Sequence, residues 1–171
     1  MHKMILGSIE VLHELGQFIQ QLDDGSYNTS PQPLFESPIG HHVRHVLDIY
    51  HALICDENDH IDYDVRRRGI AAETQRTEAI KELRMIENWL MALEEQQLER
   101  VKVISSEVCL SQQQSQSFSS SLGRELCFAS SHITHHLALM VAIARSLNIP
   151  INGQLGIAPA TATFLRQQAS C

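Results

Sequence analysis

Residues 119–150 read SSSLGRELCFASSHITHHLALMVAIARSLNIP, and the rest of the chain is best placed around this run. Apolar residues recur at three- and four-residue steps from about Ser119 or Ser120 to Leu147, which predicts a long amphipathic helix. Asn148 and Pro150 end it. His132 and His136 stand four residues apart, so their side chains stack one turn above each other. At ~100° per residue, their face also carries Glu125, Ala129, Leu139, Met140 and Ile143. That face is mostly apolar and is predicted to point inward, with His135 at its edge.

Working outward, three more helices are expected. The first spans about Met4 to Leu22, on the spacing of Ile5, Ile9, Leu12, Leu15 and Ile19. Asp23-Asp24-Gly25-Ser26 stops it, and a loop with Asn28, Ser30, Pro31 and Pro33 follows. The second begins at Ser37-Pro38, with proline as first helical residue, and runs to about Cys55 or Glu57. The third covers about Ala71 to Leu93, with Ile80, Leu83, Ile86 and Leu90 as its buried stripe. Between the last two helices, Val101 to Leu110 reads as a short strand or hairpin arm. Ser111 to Ser121 reads as a Ser/Gln-rich loop. The predicted fold is all-α: an up-down four-helix bundle at about residues 4–147, with a short β excursion before the last bundle helix. One domain covers 1–171, and the tail 148–171 holds a short helix near Ala160 to Gln168.

Composition bounds the function. The chain has 171 residues, 43% hydrophobic and 19% charged, with 13 basic against 20 acidic side chains and a net charge of −7. An acidic balance argues against a nucleic-acid partner, and 5% aromatics leave little for base stacking. Glu10 and Glu14 interrupt the N-terminal apolar run, so no secretory leader is expected. No apolar run reaches the ~18–20 residues of a membrane span. Cys55, Cys109, Cys127 and Cys171 are widely spaced, which reads as reduced thiols in a cytoplasmic protein.

The ten histidines are the unusual feature. His41, His42, His45 and His51 lie on the second predicted helix; His132, His135 and His136 lie on the fourth. Two buried imidazoles one turn apart need partners for their ring nitrogens, or a metal. The second helix can supply a third ligand. Periodicity does not choose between His42, nearer the centre of the apolar face, and His45, at its margin. The plainer reading is a set of satisfied core or surface histidines. Asp48 and Glu125 are candidate acceptors for ligand N–H groups, and His42 and His135 are candidate acid–base groups at the rim. Arg66-Arg67-Arg68 could clamp a carboxylate or phosphate; solvated side chains or pairs with nearby acids are the preferred reading. Trp89 is expected in the core or an interface. Cys127 lies too far round the helix to be a ligand.

Two stretches carry a family resemblance: Ser37-Pro38-Ile39-Gly40-His41-His42-Val43-Arg44-His45 and Ser131-His132-Ile133-Thr134-His135-His136-Leu137-Ala138-Leu139. Together they resemble the DinB-like superfamily of four-helix-bundle metalloproteins, over roughly residues 4–147. In related N-terminal domains of iron-dependent sulfoxide synthases, a ligand histidine follows a Ser-Pro opening eight residues after the serine. That position is His45 here. The resemblance implies His45, His132 and His136 as a facial triad for one divalent metal, Zn, Ni or Fe. It implies a small-molecule transferase or hydrolase, with a low-molecular-weight thiol as cosubstrate, and a homodimer. Tyr63-Asp64 and the arginines after it look like a recurrent feature of relatives, without an assigned role. The large C-terminal catalytic domain of the sulfoxide synthases has no counterpart within these 171 residues, and the tail from Ile151 falls outside the shared pattern. Two rival readings are a stress-response or metal-sensing module with a structural metal, and a metal-free helical interaction protein.

Overall fold

The structure, a computed structural model, describes residues 2–169; Cys171 lies outside the described residues. It is mostly helical, with one small sheet. The long helices are α1 (Lys3–Gln20), α3 (Ile39–Ile54), α4 (Arg76–Ala92) and α6 (Leu122–Ser146). Shorter ones are α2 (Asp24–Asn28), α5 (Glu95–Leu98) and α7 (Pro159–Ala169). The long helices pack in a closed cycle, with α1 and α3 each resting on both α4 and α6. Leu12, Leu15, Phe18, Leu47, Leu90, Leu137 and Met140 fill the space between them. The α1–α6 seam also carries a hydroxyl pair, Ser8 Oγ to Ser130 Oγ at 2.9 Å.

Helix ends follow local chemistry. Asp23 caps α2 by accepting from Ser26 N–H at 2.7 Å, inside the stretch expected only to stop α1. Pro38 is itself the N-cap of α3, so the helix starts at Ile39, one position later than predicted. The third long helix starts at Arg76 rather than Ala71, because Ala71–Glu73 form a 3₁₀ turn first. Ser121 caps α6 by accepting from Arg124 N–H at 3.3 Å. Asn148, with φ of 59°, ends α6 in the left-handed conformation that asparagine tolerates.

The sheet is larger than the single excursion expected. Strands β1 (His60–Asp62), β2 (Val101–Glu107) and β3 (Ser115–Ser121) lie in that order. β1 runs parallel to β2, and β3 antiparallel. Asn58 and Asp59, at φ of 54° and 62°, turn the chain into β1. Lys102, on β2, is buried and pairs with Asp56 and with Asp59 at 2.8 Å, which ties that turn to the sheet. The Ser/Gln stretch read as a loop is therefore an edge strand over half its length. Its side chains are mostly exposed, so only its backbone ladder to β2 defines it.

One glycine sets how α3 meets the 3₁₀ turn. A Cβ on Gly40 would lie 2.1 Å from the carbonyl oxygen of Glu73 and 2.7 Å from the Tyr27 ring. Tyr27 is buried and donates to Ala72 O at 2.7 Å, so neither neighbour yields easily. Gly40→Ala should destabilise the fold by about 1–3 kcal/mol, through overpacking. Urea unfolding checks this; a midpoint equal to wild type would contradict the close approach.

By length and composition α6 could cross a membrane, contrary to the reading of no such stretch. Here its apolar side packs against α1 and α3.

Candidate metal centre

The site forms where α3 faces α6. On α3, Val43, Val46, Leu47 and Tyr50 are buried, which rotates His42 and His45 to the edge of the buried face. On α6, Ile133, Leu137 and Met140 do the same for His132 and His136. All four imidazoles are half-buried in the cleft between the helices. His45, His132 and His136 each offer one ring nitrogen, and the three atoms lie within 4.8 Å of one another. Imidazoles sharing one zinc ion at about 2.0–2.1 Å would hold their nitrogens roughly 3–3.5 Å apart. Small side-chain rotations therefore suffice, and the donor set fits a divalent ion.

Direct contacts knit the rings together. His45 Nε2 and His132 Nε2 are 3.0 Å apart. The ring centroids of His132 and His136 are 4.6 Å apart, and those of His45 and His136 4.8 Å. His42 Nδ1 sits 3.3 Å from His136 Nδ1. When His136 carries its proton on Nδ1 and donates it to His42, its Nε2 keeps a free lone pair. His42 thus occupies the place usually held by a carboxylate or carbonyl behind a ligand histidine. Sequence reading placed His42 at the rim; the i, i+3 spacing of His42 and His45 was the available signal.

The electrostatics favour neutral rings. Burial, then the charge of Arg66 and the neighbouring His132, push the His45 imidazole down to about 4. Burial and the adjoining imidazoles push His136 down to about 3. His132 is lowered by burial, with His135 and Arg66 contributing, and His42 by burial and His41. Rings that resist protonation keep lone pairs for a cation.

Neither predicted carboxylate accepts from a ligand ring. Asp48 is buried one turn beyond His45 and is occupied by arginines: Arg44 Nη1 at 2.7 Å and Arg67 Nε at 2.8 Å. Arg67 also reaches Glu82 at 2.9 Å, so the acid-pair reading suits this arginine. Arg66, next to it, does something else: its Nη1–H donates to His45 Nδ1 at 2.9 Å. Glu125 is likewise buried, accepting from Tyr63 Oη at 2.7 Å, Ser120 Oγ at 2.6 Å and Arg124 Nη1 at 3.1 Å. Burial and this carboxylate push the Tyr63 hydroxyl well above its ordinary value, so it stays a donor. The Tyr63 ring leans on Phe128 at 5.4 Å, and Phe128 on His132 at 5.5 Å. Tyr63 and Glu125 thus buttress the site through Phe128.

Cavities flank α6, and two matter for the site. One of about 400 Å³ is lined by Tyr63, Phe118, Arg124, Glu125 and Phe128, beside the His132 ring. The other, about 540 Å³ and more apolar, lies towards α1 and the tail, lined by Met4, Gly7, Cys127, Thr134 and His135. Cys127 and the exposed His135 line this second cavity, and the His135 ring stays 5.5 Å from that of His136. Trp89 packs partly buried against the core, as expected.

No known family profile matches the chain. Among curated proteins, 108 residues are 32% identical to FK506-binding protein 5 of the fungus Rhizopus delemar, covering 63% of this chain. The chain spans 28% of the length of that relative.

Proposed function

We propose that this chain is a DinB-like, up-down four-helix-bundle protein that binds one divalent metal, Zn, Ni or Fe, through His45, His132 and His136. The observation that carries the reading is the convergence of three imidazoles from facing helices within 4.8 Å. The closed packing cycle of the four long helices supports the bundle, and metal sites in bundles are built from facing helices in this way. When bound, such an ion supplies Lewis acidity at coordination positions that three protein ligands leave open.

The chain's own groups have definable tasks. His42 fixes the tautomer of His136 through their Nδ1 contact. Phe128, braced by Tyr63 and Glu125, shields one side of His132 from water. The cavity beside Phe128 can take the body of a small molecule. The reaction class we propose is a transferase with a low-molecular-weight thiol as cosubstrate, in a cytoplasmic homodimer. It rests on the resemblance of the two histidine stretches to the superfamily.

Metal analysis of untagged protein should find about one equivalent of divalent ion, and chelation should leave the far-UV circular dichroism unchanged. Unfolding on chelation would assign the metal a structural role instead. Absence of metal would defeat the centre altogether.

A further inference from the structure

We propose that Arg66 is the anion-recognition group of this centre, so that the ligand meeting the metal is a small anion such as a carboxylate or thiolate. This rests on the metal-centre reading. The starting point is a conflict of donors. A guanidinium has only N–H groups and accepts nothing. Because Arg66 Nη1–H donates to His45 Nδ1 at 2.9 Å, the single proton of neutral His45 must sit on Nε2. There it meets His132 Nε2 at 3.0 Å. A histidine that ligates through Nε2 needs that lone pair free, so its proton belongs on Nδ1, where Arg66 now points. Arg66 and a metal therefore compete for His45. Metal binding displaces the guanidinium from the ring edge.

Two features say where its charge goes next. Arg67, the adjoining residue, is held by Asp48 and Glu82, so the loop stays pinned over α3 and Arg66 cannot leave the neighbourhood. The nearby acids are already taken: Asp48 and Glu73 by Arg44, and Glu125 by Tyr63, Ser120 and Arg124. Among the described residues, no carboxylate hydrogen-bonds to the three ligand rings or to Arg66. A divalent ion on three imidazoles beside an exposed guanidinium makes a positive site with no carboxylate in direct contact, and the closest one, Asp48, is already shared by two arginines. An anionic ligand neutralises both groups at once, and the planar fork of Arg66 suits a carboxylate.

The test uses the full chain loaded with cobalt(II), read by its visible absorption, at about pH 8 where free imidazole is neutral. Thiocyanate is the anionic probe and imidazole the neutral one. In Arg66→Gln, thiocyanate affinity should fall roughly tenfold while imidazole affinity stays unchanged. Cobalt(II) itself should bind about fivefold more tightly in buffer free of coordinating anions, since its competitor is gone. Arg66→Lys should keep thiocyanate affinity within about threefold of wild type, because the charge remains. Unchanged thiocyanate affinity in Arg66→Gln, or a parallel loss for imidazole, would overturn the role of Arg66 alone. Failure of the wild type to bind cobalt(II) would overturn the centre itself.

Discussion

Replacing His132 by alanine should take bound divalent metal from about one equivalent to nearly none, with the helices intact. His132 stands at the middle of the ring cluster, in contact with His45 and His136. Two imidazoles remain after its loss, and affinity should drop by roughly a hundredfold or more. His42→Ala should cost less, about 10–100-fold, because it removes only the partner behind His136. His13→Ala, on α1 beside Glu87, should change nothing. The order is the informative part, and titration with a competing chelator measures it. Equal affinity across the series would show that the metal, if any, binds elsewhere.

Asp48→Ala should destabilise the protein by about 3–5 kcal/mol, more than any other single substitution discussed. The Asp48 side chain is 1% exposed and neutralises two arginines, of which Arg44 is 10% exposed. Removing the carboxylate leaves Arg44 with Glu73 alone and Arg67 with Glu82 alone, around a buried gap. Asp48→Asn keeps one acceptor and should lose less. Urea denaturation gives the size of the effect, and limited proteolysis near Arg66–Gly69 its location. A loss under ~1 kcal/mol would mean the pair behaves like a surface ion pair.

The helices that carry the histidines were readable because their apolar residues keep the 3.6-residue period over many turns. The His132/His136 pair followed from the same period, whereas His45 over His42 needed the Ser-Pro resemblance. In the structure both of those rings enter the cluster. The sheet was harder to read. β1 is three residues long, too short for any alternation to register. In β3 the serines and glutamines have no buried face, so its pairing is a property of the backbone and of β2. Acid pairing was expected of the arginines as a group, but the separate partners of Arg66 and Arg67 were not legible, for a different reason. Three consecutive arginines look alike in sequence, and only the path of the loop over α3 sends one to a carboxylate and its neighbour to an imidazole.

His45 and Asp48 lie three residues apart on one turn of α3, one facing α6 and the other fastening the loop of Arg66 and Arg67. A designer who grafts the three histidines onto another helical scaffold would move the ligands and leave behind the strap that brings the guanidinium to them. The smallest transplantable unit is that turn, the arginine loop it anchors and the α6 pair, moved together.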